Sequence, residues 1–318
     1  TASSYLNWLK QQNLSDLPVW KDELYLEYHR GTLTTQAQTK ASNRKGEALL
    51  TSAERFASLA MLSGRPYPAR ELEDAWRIAL FNQFHDILPG SSIREVYVDA
   101  AESYREMMEI GETVRRRSLK TLVGSINTAD IREGIPVVVF NPLAWRRKDV
   151  VRVPLPDMEQ EYVIADVGGT VLPSQTVRTG RYARELEFIA SDVPSLGYAT
   201  YVIKRGRRPA ELRVDRTGLE NQFFSVGIDT ATGWLESIVD MRHSREILSG
   251  PGNRLQLLED LPKAWDAWNI GWTGTEFPTT FRGAEIVEQG PVRVTMQIMH
   301  DFRKPGTSAA YPTPDFPT

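Results

Sequence analysis

Apolar positions recur with a helical period up to about residue 126, and with a period of two from about residue 134. Leu72, Ala75, Trp76, Ala79, Leu80 and the pair Gln83-Phe84 follow i, i+3, i+4, i+7 spacing and mark one helix face. Ala48, Leu49, Phe56, Leu59, Ala60 and Leu62 mark an earlier helix, closed by the stop-and-turn string Ser63-Gly64-Arg65-Pro66. Ser92-Ile93-Arg94-Glu95 has the S-x-x-E form of a capping box. It opens a third helix through Tyr97, Tyr104, Met107 and Ile110 towards Leu122. Three helices with short connections predict a small antiparallel bundle.

The second half reads differently. Pro136–Phe140, Val150–Leu155, Tyr162–Val167, Glu185–Ala190 and Tyr198–Ile203 are β-branched or alternating runs, punctuated by Gly168-Gly169, Pro194 and Gly197. Arg205–Pro209 reads as a linker, and Phe223–Ile228, Leu235–Val239, Arg254–Leu258 and Val292–Met299 form a second strand series. Short strands without intervening helices predict antiparallel sandwiches rather than βαβ units. The expected class is α+β and multidomain: a three-helix bundle followed by antiparallel β-sandwich domains. Both ends look cut, with a helix-like piece at Tyr5, Leu6, Trp8 and Leu9, and a tail from Gly306 expected to be disordered.

Composition narrows the chemistry. With 38 Lys+Arg against 41 Asp+Glu, the net charge is −3, which argues against a nucleic-acid partner bound by bulk positive charge. No apolar run approaches the roughly 18–20 residues of a membrane span, and the N-terminus lacks a signal-peptide layout, so no membrane partner is expected. There are no cysteines, which excludes disulfides, thiolate nucleophiles and Cys-type metal sites and fits a reducing, cytoplasmic location. Any metal must be held by Asp, Glu and four histidines: His29, His85, His243 and His300. His243 and His300 read as ordinary surface residues, and Arg115–Arg117 as a solvated face near a helix end. The sequon Asn13-Leu14-Ser15 carries little information without cysteines. Phosphate-binding Gly loops, a dinucleotide fingerprint, H-E-x-x-H and G-x-S-x-G are all missing from the sequence.

Three stretches remain as candidate chemistry. In Asn82–Ser92, His85 and Asp86 fall where one helix ends and the next begins; imidazole suits zinc and the carboxylate suits sugar hydroxyls. The plain alternative is a histidine favoured by the helix dipole and an aspartate that starts a loop. In Glu23–Thr32, two tyrosines, two glutamates, His29 and Arg30 make either a polyol-binding wall or a structural turn with Tyr25 and Leu26 in the core. In Leu261–Asn269, Trp265 and Trp268 around Asp266 offer either stacking faces for pyranose rings or plain hydrophobic bulk, with Trp272 nearby.

Taken together, these stretches resemble glycoside hydrolase family 38, the α-mannosidases, and its bacterial and cytosolic branch more than the Golgi and lysosomal one. The matching strings are Glu23-Leu-Tyr-Leu-Glu-Tyr-His-Arg-Gly-Thr-Leu-Thr-Thr-Gln36, Asn82-Gln-Phe-His-Asp-Ile-Leu-Pro-Gly-Ser-Ser-Ile93, and Asn253-Arg-Leu-Gln-Leu-Leu-Glu-Asp260 with Trp265-Asp-Ala-Trp268. Their order and separation agree, and the likeness runs from about residue 18 to about residue 300. It implies a division into the end of a catalytic domain (1–27), a three-helix middle domain (28–126), a small antiparallel β domain (127–206) and the start of a C-terminal β-sandwich (207–318).

The resemblance also implies roles. Zinc in the family is held by a His-x-Asp pair and the nucleophilic Asp of the catalytic domain, plus one histidine of the helical domain, which aligns with His85. Asp86 matches a position that binds substrate hydroxyls, and His29 one that approaches the sugar, although Golgi-type members carry an aromatic residue there. Arg30, Trp265 and Asp266 are expected to wall the pocket. No His-x-Asp occurs in this sequence and no residue matches the nucleophile, so no catalytic residue is assigned and no tight zinc site is expected from this chain alone. The expected function is part of a zinc-dependent retaining α-mannosidase, inactive by itself, whose partners are an α-mannoside and the missing catalytic domain. The alternatives are a hydrolase of mannosylglycerate or another small α-mannoside, and a non-catalytic carbohydrate-binding β-sandwich module.

Overall fold

The computed structural model describes residues 1–21, 27–206 and 218–302. Its helices are α1 (Ala2–Leu9), α2 (Ala37–Leu62), α3 (Ala69–Asn82) and α4 (Arg94–Val123), with a 3₁₀ turn at Glu27–Leu33. None of them is long and apolar enough to cross a membrane. No residue of α1 is buried, and its Tyr5, Leu6 and Trp8 are exposed.

Helices α2, α3 and α4 pack pairwise around a seam of small residues. Leu50, Ala75, Ala79, Tyr104 and Met107 form one cluster, and Ala53, Ala57, Leu72 and Val114 continue it. Glycines set the approach of α2 to α4. A Cβ on Gly46 would lie 2.4 Å from Met107 Cε, and one on Gly111 would lie 2.9 Å from Leu50 Cδ2. Each helix thus carries a glycine one turn from a large side chain, and each large side chain sits over the other helix's glycine. The helix-propensity cost is about 1 kcal/mol per glycine, set against burial of Leu50 and Met107 at full packing density.

This seam corrects the expected faces. Leu62 is 80% exposed, Leu80 59% and Phe84 52%, and Ala48 also faces outward. Close packing selects small residues at i, i+4, i+7 (Ala53, Ala57, Ala60); of the expected positions Phe56, Ala60, Leu72, Ala75 and Ala79 are buried, whereas Leu62, Leu80 and Phe84 belong to the neighbouring, solvent-facing stripe. The stop at Ser63–Pro66 is as expected: Gly64 has φ +86°, and the Arg65 amide donates back to the Ala60 carbonyl. The capping box does not form. The N-cap of α4 is Ile93 with no side-chain cap, because Ser92 Oγ donates to the Asp86 carbonyl at 2.6 Å instead. Arg117 is not simply solvated either; its guanidinium donates to both Glu71 carboxylate oxygens across the α3–α4 interface.

The β region begins with β1 (Ile135–Phe140), β2 (Arg147–Pro154), β3 (Tyr162–Asp166), β4 (Val171–Leu172), β5 (Ser174–Gly180), β6 (Ala183–Val193) and β7 (Tyr198–Arg205). All pairings are antiparallel, in the orders β1-β7-β3-β4 and β2-β6-β5. Inward residues of both sheets, Ile164, Tyr201 and Ile203 from one and Leu186, Phe188 and Ala190 from the other, share one core.

Next come β8 (Gly218–Glu220), β9 (Phe224–Ile228), β10 (Leu235–Asp240), β11 (Arg245–Glu246), β12 (Leu257–Asp260), β13 (Trp272–Phe277), β14 (Thr279–Gln289) and β15 (Val294–Phe302). The first four make one sheet; β12-β13 and β14-β15 are separate hairpins. Among the described residues from 218 onward, Ile228 is the one fully buried hydrophobic. The turn between β14 and β15 seats on the preceding sheets: Gln175 Oε1 accepts the amides of Val292 and Arg293, and Arg293 joins Arg152 on the fully buried Glu187. Of the linker expected at Arg205–Pro209, Arg205 ends β7 and the Gly206 amide donates to the Glu161 carbonyl; its remainder and the tail from Gly306 fall outside the described residues.

Replacing Leu50 with Ala is expected to lower unfolding stability by about 2–5 kcal/mol, against a change within about 0.5 kcal/mol for Leu62→Ala. Urea denaturation of both variants checks which stripe is the seam; equal losses would place it wrongly.

Candidate functional site

The backbone leaves α3 under tight control. Asn82, the buried last residue of α3, donates from its side-chain amide to the Ile78 carbonyl and to Ser103 Oγ of α4, both at 2.9 Å. Gln83 donates to Asn43 Oδ1 and Glu47 Oε1 of α2. The chain then turns, and His85 is presented outward with its side chain 78% exposed. His85 Nε2 lies 3.2 Å from Asp86 Oδ2, and the ring sits 4.2 Å from that of Phe84. With one nitrogen turned to a carboxylate, the other is oriented for a further partner, the arrangement used when a carboxylate aligns a metal-binding imidazole.

Asp86 is held by its main chain and reached through its side chain. Its carbonyl accepts from Ser92 Oγ (2.6 Å) and Tyr97 OH (3.2 Å), and its Oδ1 accepts from Ser91 Oγ (3.3 Å). Gly90 has φ +92°, and a Cβ there would lie 2.1 Å from Thr35 Cγ2 and 2.9 Å from the Thr35 carbonyl oxygen. A side chain is excluded both by conformation and by contact. Behind this loop, α3 and α4 enclose a mostly apolar cavity of about 500 Å³, lined by Ile78, Phe81, Ile87, Val96 and Ala100 among others. No motif in the sequence pointed to it, because its walls are ordinary helix residues from two separate segments.

The other two candidate stretches meet each other. The Gly31 amide donates to the Trp268 carbonyl at 2.7 Å, and the His29 ring lies 4.5 Å from the Trp268 ring. Thr32 Oγ1 closes the turn on the His29 carbonyl at 2.6 Å. Trp265 adopts φ +61°, its carbonyl accepts the amides of Trp268 and Asn269, and its side chain is 70% exposed. Asp266 is exposed and accepts the Ala267 amide; Arg30 is exposed as well. Glu23–Leu26, the start of the first string, lies outside the described residues.

The remaining histidines depart in part from expectation. His243 is exposed but donates from Nδ1 to the Asp240 carboxylate at 2.8 Å. That bond, helped by the Arg242 amide and guanidinium, holds the Asp240 carboxyl down at about 2. His300 is not a plain surface residue: it is half-buried, its ring 5.6 Å from Phe281, and its Nδ1 has no hydrogen-bond partner. As for zinc, His85 and Asp86 supply two donors where a catalytic zinc centre takes three from protein. No group of three His, Asp or Glu gathers among the described residues. These residues do not fit a complete zinc centre on their own.

Residues 27–122 match the family model described as the alpha mannosidase middle domain, and residues 219–309 match the glycosyl hydrolases family 38 C-terminal domain. Together the two matches take in more than half of the chain. The chain belongs to glycoside hydrolase family 38. Human alpha-mannosidase 2C1 is 31% identical over 273 residues, covering 82% of this chain and 23% of the relative. Alpha-mannosidase G of Dictyostelium discoideum is 26% identical over 322 residues, covering 91% and 29%. An alpha-mannosidase structure from Enterococcus faecalis V583 shares the fold, with a TM-score of 0.69 at 18% identity, over 93% of this chain and 39% of that one. The chain therefore spans about a quarter of the length of the curated relatives it matches. Within the family frame, His29, Arg30, His85 and Asp86 lie in the middle-domain match and Trp265, Asp266 and Trp268 in the C-terminal one. The His29–Trp268 contact joins the two.

Gly90→Ala is expected to cost about 1–3 kcal/mol of stability, from the left-handed backbone and the Thr35 contact combined. Thermal unfolding against native protein measures it. An unchanged midpoint would show that the loop is not pinned there.

Proposed function

We propose that this chain forms the middle and early C-terminal part of a zinc-dependent retaining α-mannosidase that hydrolyses terminal α-mannosides. The observation that carries the reading is the exposed His85 ring, displayed with Asp86 on a loop whose Asp86, Leu88 and Pro89 carbonyls are each held by a side chain. An imidazole meant only to cap a helix has no need of that support. In this reading α2, α3 and α4 form a three-helix middle domain, His85 gives one ligand to zinc, and Asp86 accepts hydroxyls of the bound mannose. His29, Arg30, Trp265 and Asp266 wall the pocket.

A retaining glycosidase needs two carboxyl groups about 5–5.5 Å apart across the scissile bond, and the sequence has no His-x-Asp to bring the nucleophile with the other ligands. The nucleophile and the remaining zinc ligands are thus assigned to polypeptide outside this chain, which on its own is inactive. A cytoplasmic setting goes with the cysteine-free composition. A second reading, a non-catalytic sugar-binding β module, is favoured by the exposed rings of Trp265 and Trp272.

The test is hydrolysis of an aryl α-mannoside with zinc present. The chain alone is expected to give no saturable turnover. Joined to a family 38 catalytic domain, it is expected to turn over, with kcat/KM falling on the order of 100-fold in Asp86→Ala. Turnover by the chain alone contradicts the reading. A saturable Trp fluorescence change with mannose, without turnover in either form, supports the sugar-binding module instead.

A further inference from the structure

Lys40 sits in the first turns of α2, where the helix dipole disfavours a cation. No carboxylate lies within ion-pair distance of it among the described residues. Its ammonium instead donates to three main-chain carbonyls: Thr35 at 2.6 Å, and Leu88 and Pro89 at 3.0 Å each. Three donors meet three acceptors, so the group is saturated. One acceptor belongs to the segment that follows the His29–Arg30 turn. The other two belong to the loop that carries His85 and Asp86.

We propose that Lys40 is the positioning residue of this site, fixing the His85–Asp86 loop against the His29–Arg30 turn so that both move as one wall. The contact is reinforced by Gly90, whose missing side chain lets the loop lie directly on Thr35. The choice of lysine follows from geometry: a compact ammonium on a flexible stem aims three donors at converging carbonyls, whereas a planar guanidinium spreads its donors in one fixed fork. Partial burial also lowers the Lys40 pKa, in keeping with an ammonium held by dipoles rather than by a counter-charge. The importance of the clamp for a sugar site rests on the function proposed above, but its existence does not.

The four histidines make a built-in reporter. Imidazole carbon–proton correlation spectra of this chain resolve His29 and His85 on the two clamped segments, with His243 and His300 in the β region as controls. Lys40→Met is expected to shift or broaden His29 and His85 together, to leave His243 and His300 in place, and to speed amide exchange at Leu88 and Gly90 about tenfold. Lys40→Arg, whose fork cannot reach all three carbonyls together, is expected to return both peaks only part of the way towards native. If Lys40→Met loses its helical circular dichroism, Lys40→Gln, which keeps two donors, takes its place with the same expectation at smaller amplitude. Native His29 and His85 peaks in the donor-poor variant overturn the proposal. So does movement of only one of the two, or of all four to the same degree. Failure of the mannoside assay alongside the expected spectra would sink the functional reading and leave the clamp standing.

Discussion

A helix that ends leaves its last carbonyls without partners, and the loop that follows has its own to satisfy. After α3 this constraint is met in two ways: the Gln83, Phe84, Ile87 and Leu88 amides serve the Leu80, Phe81 and Phe84 carbonyls, and side chains serve the carbonyls that follow. Ser92 and Tyr97 serve the Asp86 carbonyl, and Lys40 serves Leu88 and Pro89. With the main chain bonded from both sides, the His85 side chain is left exposed and that of Asp86 partly so. Polar side chains displayed on a well-bonded backbone are what a metal or sugar site requires.

The rest of the structure serves this corner. Gly46 under Met107 and Gly111 under Leu50 set the approach of α2 to α4; Lys40 reaches from α2 to the loop after α3, and Gln83 reaches from the end of α3 back to α2. The 3₁₀ turn at Glu27–Leu33 then links the helices to the β region through Gly31 and Trp268. The sheet of β8–β11 and the two hairpins have little buried core among the described residues. They are tied back at the Glu187–Arg293–Gln175 junction. Contacts between regions, rather than cores within them, therefore set where Trp265 and Asp266 stand.

Much of this was legible in the residues. The switch of period near residue 130, the stop at Gly64 and the strands with β-branched runs all appear in the structure where the pattern puts them. What the pattern missed has physical causes. β13 and β14 carry Gly274 and Gly283 and charged residues on open faces, with Pro278 between them, so they lack strand periodicity. The seam of the helices includes, among its larger side chains, alanines and glycines, which a search for large apolar residues passes over. Ser92 looked like a cap because local spacing cannot show that its hydroxyl is claimed by Asp86. The partnership of His29 with Trp268, some 240 residues apart, has no local signal at all. The His85-Asp86 pair was visible only as an oddity at a helix end, and the resemblance to family 38 gave it meaning.

The most direct measurement of the central claim is zinc content after dialysis, read by atomic emission, on the chain joined to a family 38 catalytic domain. About one zinc per chain is expected in the native protein and in His243→Ala, and none in His85→Ala. Full zinc retention by His85→Ala would contradict the account.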